Sequence, residues 1–397
     1  MMSLPLEGLR VLTLEQYGAG PYCSMFMADM GAEVIKIENP STGGDFARST
    51  GPYFLGKNDS EYFQAFNLNK RSLTLDLKSE KGLEVFHKLV ETADAVINNM
   101  RGNQPAKLGL DYAALKAINP KVVCGHISAY GRDNSRASWP GYDYLMQAEA
   151  GFLSVTGEPD GPPARFGLSL IDFMTGTMLA YGVTAVITKA QKTGEGGDVD
   201  VSLMEAALHQ LTYPGVWYLN EGLVTGRAPR GAHPSVTPSQ LVKSKDGWVF
   251  IMCQNPKFWD LLVDGLDRDD LREDPRFSDL ASRLENRAAL TEVLDDVFSE
   301  KTAESWVDKF KGIIPISPVY DMAQALDNPF VEELNMITEV DHPDRPGMRV
   351  LNNPIRLNGE RVPIKSAPKL GADTDEILKN IGYADSDISA MRNEGAI

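Results

Sequence analysis

Apolar and polar positions near the N-terminus predict a strand, a helix and a second strand, in that order. Short apolar runs at Arg10–Glu15 and Glu33–Glu38 have the length and composition of buried strands. Between them, Tyr22–Met30 is predicted to be a short helix, with Pro21 at its beginning and Gly31 at its end. Two strands joined through a helix pair in parallel, so this stretch indicates a βαβ unit.

The same alternation of strand and helix patterns continues along the first part of the chain. Further strands are predicted at 72–77, 95–98 and 122–127, and an amphipathic helix at 80–92. Residues 166–191 have the pattern of a loop followed by a long helix. Alternating β and α elements favour a doubly wound α/β domain with a parallel sheet.

The second half of the chain has a different pattern. Residues 222–238 are rich in Gly, Pro and Arg and predict a linker. A hairpin signal at Lys245–Trp248 then opens a second region, and residues 258–326 are predicted to be mostly helical. After Phe330 the chain becomes extended and rich in proline, until a terminal helix is predicted to begin at Asp373.

Length and composition narrow the classes of protein. A chain of 397 residues is too long for one compact core, which predicts two domains. The formal net charge of −16 disfavours binding to nucleic acid or to an anionic membrane. The cysteines Cys23, Cys124 and Cys253 form neither a disulfide framework nor a CxxC metal pair. The N-terminus lacks a signal-peptide pattern, and no apolar stretch approaches the roughly 20 residues of a membrane span. We therefore expect a cytoplasmic protein that binds neither nucleic acid nor membranes.

A glycine turn after the first strand is the first candidate site. Gly18 and Gly20 open the predicted helix and Glu38 ends the next strand, a pattern that resembles a dinucleotide-binding fingerprint. Cys23 stands where the third glycine of that fingerprint permits close packing. An NAD-binding oxidoreductase is therefore one alternative, and a tight turn common to α/β domains is another. The nucleotide of coenzyme A could also dock on these backbone N–H groups.

Asp172 lies at the start of the long predicted helix and is the second candidate site. An aspartate at a helix start is most often only a cap. The functional alternative is a nucleophile, because the positive end of a helix keeps a carboxylate ionised. The apolar neighbours Leu170, Ile171 and Phe173 would leave that carboxylate poorly solvated and therefore reactive.

The other polar residues favour phosphate binding over metal binding. No two histidines have the spacing of metal ligands, and no serine lies in a GxSxG elbow, so we predict no metal and no hydrolase triad. His126 ends a predicted strand at the side where α/β proteins bind ligands. Lys70 and Arg71 precede a strand and are candidates for phosphate contacts. Further candidate cations are Arg48, Arg101 and Lys107.

Several motifs resemble those of one known family. The motifs, in chain order, are LEGLRVLTLEQYGAGPYCSMFMADMGAEVIKIENP, FNLNKRSLTLDLKSEKG, LGLDYAALKAINP, GPPARFGLSLIDFMTG, TGEGGDVDVSLMEA, HPSVTPSQ and APKLGADTDEILKNIGY. In this order they resemble the class III CoA-transferases, a family that includes formyl-CoA:oxalate and carnitine CoA-transferases and the α-methylacyl-CoA racemases. The resemblance covers nearly the whole chain.

The resemblance implies a mechanism and an architecture. The nucleophilic aspartate of the family falls on Asp172, which would form an anhydride with the acyl donor and then an aspartyl-CoA thioester. No metal or organic cofactor is implied, since coenzyme A is a substrate. The implied fold has a large Rossmann-like domain built from both chain ends, 1–222 and 330–397, and a smaller central α+β domain, 223–329. Two chains would interlock as a homodimer.

The resemblance also implies binding residues. Asn39 departs from an arginine that some members carry, which leaves contacts to adenine open. The residues expected to bind coenzyme A are Gln16, Tyr17, Gly18, Leu68, Lys70, Arg101 and Lys107. The residues expected to contact the acceptor carboxylate are Tyr62, Arg165 and His233, together with Gln16 and Tyr17.

Two departures from family patterns refine the predicted reaction. Racemases carry Gly-His-Asp where this chain has Gly141-Tyr142-Asp143, and a two-base mechanism without that imidazole lacks one partner. A racemase or isomerase stays the alternative, with His126 as its only nearby base. Oxalate-specific members carry a glycine-rich loop near this segment, and no glycine run occurs around Ser235–Gln240, so oxalate is not the expected acceptor. The expected partner is a dicarboxylate such as succinate, or a methylated or unsaturated relative of it. A CoA-binding protein without turnover is a further alternative.

Overall fold

The computed structural model describes residues 3–397. Its strands are β1 (Arg10–Leu14), β2 (Glu33–Glu38), β3 (Arg71–Thr74), β4 (Ala95–Asn98), β5 (Val123–Ser128), β6 (Gly197–Ser202), β7 (Ser239–Lys243), β8 (Trp248–Met252), β9 (Ile316–Pro318), β10 (Ile337–Val340), β11 (Met348–Leu351), β12 (Arg356–Leu357) and β13 (Glu360–Arg361). Its α-helices are α1 (Ala19–Asp29), α2 (Glu61–Asn67), α3 (Glu80–Val90), α4 (Tyr112–Leu115), α5 (Asp143–Glu149), α6 (Phe152–Val155), α7 (Leu170–Thr193), α8 (Leu203–Gln210), α9 (Thr212–Glu221), α10 (Pro256–Leu266), α11 (Asp270–Glu273), α12 (Leu280–Glu285), α13 (Arg287–Phe298), α14 (Ala303–Phe310), α15 (Met322–Leu326), α16 (Pro329–Glu333), α17 (Thr374–Asn380) and α18 (Asp385–Asn393).

In the described residues, six parallel strands form the main sheet, in the order β3-β2-β1-β4-β5-β6. This is the strand order of doubly wound nucleotide-binding folds. The central strand β4 is buried along its whole length and β1 is buried except at its two end residues, which explains their nearly continuous apolar runs. The predicted mixed α/β fold with a parallel sheet is therefore confirmed.

Most predicted elements are present, with shifted bounds. The helix predicted at 22–30 already begins at Ala19, because Pro21 is tolerated within a first helical turn. The strand predicted at 95–98 is β4 with the same bounds. The hairpin signal at Lys245–Trp248 joins β7 to β8 in an antiparallel pair.

The chain separates into two compact units. Unit 1 comprises the chain up to Ala150, Gly167–Leu211 and Phe330–Ile397, and unit 2 comprises Gly151–Phe166 and Thr212–Pro329. Residues 151–166 and 212–222, which the sequence assigned to the large domain, thus group with unit 2. The domain limits inferred from the resemblance and the interlocked homodimer stay predictions.

Unit 1 joins residues from both ends of the chain. Its core cluster packs Leu12 and Phe86 with Ile377 from α17. The Asp373 carboxylate accepts the backbone N–H of Ser72 at 2.9 Å, at the sheet edge formed by β3. The C-terminal segment is therefore part of the same core as the parallel sheet.

Unit 2 has a core of its own. β7, β8 and β9 form an antiparallel sheet. Apolar residues of α10, α13 and α14 form one buried cluster with β7 and β8. Large buried side chains in this cluster are Trp259, Phe277, Phe298, Trp306 and Phe310.

Helices α1 and α7 pack closely in unit 1. A Cβ added at Gly176 of α7 would lie 2.6 Å from the carbonyl oxygen of Ala19, so a larger residue would push the helices apart. Among the described helices, α7 alone is long and apolar enough to cross a membrane, judged by length and composition only. This corrects the expectation that no apolar stretch approaches that length, although the core helix of a soluble protein passes the same test.

Candidate active site

A cavity of about 1090 Å³ lies at the carboxyl ends of the parallel strands of unit 1. Segments that follow β1, β2, β3 and β4 line it, together with the first turn of α7. Open α/β sheets bind ligands at this edge because the connecting loops diverge there. Of the predicted site residues, the wall contains Gln16, Tyr17, Gly18, Tyr62, Arg101 and Asp172.

Asp172 lies in the cavity wall in the first turn of α7. Burial raises the pKa of its carboxyl to about 7, and the negative charge of Asp143 adds to the shift. The Asp172 side chain does not cap α7. Its backbone N–H instead donates to Asp143 Oδ2 at 3.0 Å, and Gln147 Nε2 donates to Asp143 Oδ1 at 2.6 Å. The predicted role as a cap is therefore replaced by a carboxylate that faces the cavity.

Gly18 lies against this carboxylate. A Cβ added at Gly18 would lie 2.7 Å from Asp172 Oδ2, closer than any side-chain carbon normally approaches. The backbone of the β1–α1 loop can therefore touch the Asp172 carboxylate only because residue 18 has no side chain.

Side chains in the segments that follow β2 and β4 hold the β1–α1 loop. The Asn99 side chain accepts the N–H of Gln16 at 2.9 Å and donates to its carbonyl oxygen at 2.7 Å. Tyr17 has a φ of 67°, and its N–H donates to Asp45 Oδ1 at 3.1 Å. Left-handed backbone is uncommon for an aromatic residue, so these contacts define the conformation of the loop.

Aromatic rings form the wall beside Asp172. The Tyr17 ring lies 5.6 Å, between ring centroids, from both Phe46 and Tyr62. Burial raises the pKa of Tyr62 to about 12, with further contributions from Tyr17 and Asp172, so its phenol stays protonated and can donate. Tyr142 and Tyr144 also line the cavity. The wall next to the nucleophile candidate is thus apolar, with phenol hydroxyls as polar groups.

The predicted phosphate-binding cations are placed in different environments. Arg101 lines the cavity, and Lys107 is exposed next to the lining residue Leu108. Lys70 is buried, and its ammonium group donates to Glu15, Pro21 and Asn67, each at 2.9 Å. Burial lowers the pKa of Lys70 to about 8, against the attraction of Glu15.

Neither Lys70 nor Leu68 reaches the cavity wall, and both are buried in unit 1. The wall instead contains Lys78, which follows β3. Sequence reasoning missed Lys78, although its position just after a predicted strand was a usable signal. It also missed the contact of Asp143 with the start of α7 and the contacts of Asn99 with the β1–α1 loop.

The hydrogen bonds that Glu38 already accepts do not support the dinucleotide-binding alternative. Arg48 holds its carboxylate with two hydrogen bonds of 2.8 Å, and Ser72 donates a third of 2.7 Å. Arg48 itself is 1% exposed, so this candidate cation is buried in its pair with Glu38. Because the Glu38 carboxylate is already satisfied, binding a ribose there would break a buried ion pair.

The racemase alternative lacks a histidine among the described residues that line the cavity. His126 is buried, with Nδ1 2.8 Å from Asn98 Nδ2 and Nε2 2.9 Å from Asp198 Oδ1. None of the described residues that line the cavity is a histidine. The imidazole that this alternative requires is therefore engaged within the sheet.

Two predicted site residues belong to unit 2. Arg165 donates to the carbonyl oxygen of Phe166 at 3.1 Å. His233 Nε2 lies 3.1 Å from the Tyr213 hydroxyl, and the two rings are stacked. Their predicted contacts with an acceptor carboxylate stay predictions. Within residues 3–397, no group of three or more His, Cys, Asp or Glu is arranged to hold a metal ion.

Comparisons with known proteins agree on one family. The family model of CoA-transferase family III matches residues 6–374. The succinyl-CoA:mesaconate CoA-transferase of Haloarcula hispanica is 34% identical over 395 residues, which cover 95% of this chain and 96% of that protein. The succinyl-CoA:glutarate CoA-transferase of Homo sapiens is 30% identical over 401 residues, covering 99% and 90%. A crystal structure of a CAIB/BAIF family protein from Brucella suis has a TM-score of 0.84 at 31% identity, covering 96% of this chain and 100% of the other.

Proposed function

This chain belongs to CoA-transferase family III, and from that premise we propose that Asp172 is the covalent nucleophile that carries coenzyme A from an acyl-CoA to a dicarboxylic acid. The observation that carries the proposal is the Asp172 carboxyl itself, which lies in the cavity wall against Gly18 with a pKa raised to about 7. A carboxylate that is poorly solvated and pairs with no cation is a reactive nucleophile.

The proposed reaction balances without a proton or a cofactor. An oxygen of the Asp172 carboxylate attacks the thioester carbonyl of the donor, the C–S bond breaks, and CoA leaves as a thiolate. The thiolate attacks the aspartyl carbonyl of the resulting anhydride and releases the donor acid, which leaves an aspartyl-CoA thioester. The acceptor carboxylate attacks this thioester to form a second anhydride and release the thiolate. The thiolate then takes the acceptor acyl group and restores Asp172.

Each step passes through a tetrahedral oxyanion. The proposed donors to this oxyanion are backbone N–H groups at the start of α1, since Gly18, the residue before α1, lies against the Asp172 carboxylate. The apolar wall formed by Phe46 and the ring faces of Tyr17 and Tyr62 supports the proposal by limiting hydrolysis of the intermediates.

We propose that coenzyme A binds along the strand ends of unit 1. Arg101, Lys78 and Lys107 are the proposed phosphate contacts, because they are the cations in or beside the cavity wall. Gln16, Tyr17 and Gly18 would contact the thioester end. Lys70 and Leu68 would act through the packing of α1 and α2 rather than by touching the nucleotide.

A dicarboxylate acceptor is the finer part of the proposal. The names of the relatives include mesaconate and glutarate, and succinyl-CoA as the donor. The proposed contacts for the acceptor carboxylate are the Tyr62 hydroxyl, Arg165 and His233. We also propose a cytoplasmic homodimer that needs neither a metal nor an organic cofactor and binds neither membranes nor nucleic acid.

Intact-protein mass spectrometry tests the proposal. After incubation with succinyl-CoA, glutaryl-CoA and acetyl-CoA in turn, we expect a CoA adduct that hydroxylamine removes and that maps to the peptide containing Asp172. Asp172→Asn should form no adduct and should lose at least about 10⁴-fold in turnover, because the nucleophile is gone.

Asp375→Asn is the matched control, since Asp375 also lies in the first turn of a helix but pairs with Arg392. It should form the adduct at the rate of the wild type. Exchange of the α-proton in deuterated water, without any adduct from any of the three donors, would instead indicate a racemase.

A further inference from the structure

The β1–α1 loop reaches the nucleophile through one residue with unusual backbone geometry. Tyr17 has a φ of 67°, and the next residue, Gly18, lies against Asp172. An aromatic residue does not favour the left-handed region on its own. The surroundings must therefore impose this conformation, and the backbone of Gly18 moves if they fail to do so.

Asp45 is the side chain that binds the Tyr17 backbone. Its Oδ1 accepts the N–H of Tyr17 at 3.1 Å and the N–H of Ala47 at 2.9 Å. Its Oδ2 lies 2.8 Å from Lys36 Nζ. Lys36 also donates to the carbonyl oxygen of Glu15 at 2.9 Å, so the pair holds the loop on both sides of Gln16.

The Asp45–Lys36 pair is fully inside the protein, with both side chains 0% exposed. Burial alone would raise the pKa of Asp45, but the attraction of Lys36 and the hydrogen bonds that Asp45 accepts bring that pKa below its usual value. Burial would lower the pKa of Lys36, but Asp45 and Glu15 raise it. Both groups are therefore ionised at neutral pH, and a charged acceptor binds an N–H more strongly than a neutral one.

We propose that Asp45 is a positioning residue for CoA transfer: by accepting the N–H of Tyr17, it fixes the left-handed turn that sets Gly18 against the nucleophile. This inference rests on the proposed function of Asp172. Asp45 touches neither reacting atom in this arrangement. Its loss should slow the chemical steps while the phosphate contacts of Arg101 and Lys78 continue to bind the substrate.

Two double variants isolate the hydrogen bond from the buried charges. Lys36→Met/Asp45→Asn is neutral and keeps an acceptor for Tyr17, whereas Lys36→Met/Asp45→Leu is neutral and has none. Replacing a buried ion pair by uncharged groups of similar size is commonly tolerated, so both are expected to fold. Circular dichroism and the Kd for coenzyme A check that they do.

The two variants should differ in kcat and agree in KM. We expect the Asn variant to keep kcat within about threefold of the wild type, and the Leu variant to lose about tenfold to a hundredfold, the effect of a displacement near 1 Å. The KM for acyl-CoA should stay within about threefold in both. The rate of adduct formation at Asp172 should follow kcat.

Asp94→Leu is the matched control for the loss of a carboxylate acceptor. Asp94 Oδ2 accepts the N–H of Arg10 at 2.8 Å, at the opposite end of β1 from the cavity. This variant should lose stability but keep kcat, since the loop is untouched.

The outcomes separate the two proposals. Equal kcat values in the Asn and Leu variants overturn the positioning role, while adduct formation by the wild type upholds the function of Asp172. Failure of the Leu variant to fold also overturns it, because Asp45 would then serve folding alone. If the wild type forms no adduct with any donor, the proposed function fails instead.

Discussion

Asp45 and Asp172 are two carboxylates in the wall of one cavity, but the charged groups next to them differ. Asp45 pairs with Lys36 and accepts backbone N–H groups, so its pKa lies below the usual value despite burial. Asp172 is subject to burial and to the charge of Asp143, and its pKa rises to about 7. Burial alone therefore does not identify the reactive group.

The buried cations of unit 1 lie beneath the cavity. Lys36 pairs with Asp45, Arg48 with Glu38, and Lys70 with Glu15. A carboxylate held by a buried cation is stabilised as an ion and is a poor nucleophile. In the proposed mechanism, Asp172 stays reactive because the cations pair with the neighbouring acids Asp45, Glu38 and Glu15 and not with Asp172.

The largest expected effect is a loss of stability when the buried Asp45–Lys36 ion pair is broken. Lys36→Met leaves the Asp45 carboxylate buried without its cation, so we expect the free energy of unfolding to fall by about 3–5 kcal/mol. Urea denaturation at pH 7 measures it. Lys81→Met is the matched control, because Lys81 pairs with Glu84 at the surface, and it should cost less than about 1 kcal/mol. Similar losses in the two variants would contradict the structural role of the pair.

The raised pKa of Asp172 predicts that the rate of adduct formation depends on pH. Only ionised Asp172 can attack, so the rate of adduct formation should rise with pH and level off above a midpoint near the pKa of about 7. A group two units below its pKa is about 1% ionised, so the rate at pH 5 should be about 100-fold below the plateau. Rapid-quench mass spectrometry between pH 5 and pH 9 measures it, and a flat profile would contradict the raised pKa.

Stability provides the independent check on this pKa. In the unfolded chain Asp172 has an ordinary pKa of about 3.9, below its value in the folded protein. Between these two values the unfolded state has lost the proton that the folded state still holds, so the Asp172 contribution to stability falls as pH rises. Asp172→Asn should therefore gain stability relative to the wild type from pH 4 to pH 7 and show no further gain above it.

The smallest expected effect separates the two causes of the raised Asp172 pKa, which are burial and the charge of Asp143. Asp143→Asn removes the like charge but keeps an oxygen for the N–H of Asp172. The midpoint of the rate profile should move to lower pH and stay above the ordinary range of an aspartic acid, since burial is the larger cause. Asp111→Asn, at the cap of α4, should leave the midpoint unchanged. An unchanged midpoint in Asp143→Asn would assign the whole shift to burial.

Local patterns predicted the sheet well and the site in part. Apolar runs predicted β1 and β4 because a parallel strand covered on both faces is apolar along most of its length, and the apolar residues Val34, Ile35 and Ile37 were enough to predict β2. The family resemblance predicted Asp172, and the structure places it in a cavity wall. The start of α1 was predicted three residues late because proline fits within a first helical turn as well as at its beginning.

The contacts that tune the site lay beyond sequence reasoning. Lys70 has the sequence context of a phosphate-binding cation. Its ammonium group is instead buried, because it donates to Glu15 and Pro21, which are distant in the chain, and to Asn67, which is near. Asp143 was noted only as part of a motif without histidine, and its effect on Asp172 requires knowing that α5 and α7 meet. Such side-chain partners depend on tertiary packing, which a single sequence does not encode locally.

The contacts between β3 and residues 373–397 bear on how fast unit 1 folds. Asp373 binds the N–H of Ser72, Thr374 binds that of Thr74, and Ile397 belongs to the core around Leu12. These hydrogen-bonded pairs are 301 and 300 positions apart in the chain, so a very long loop must close before the β3 edge of the sheet is covered, and we expect this step to be slow in folding.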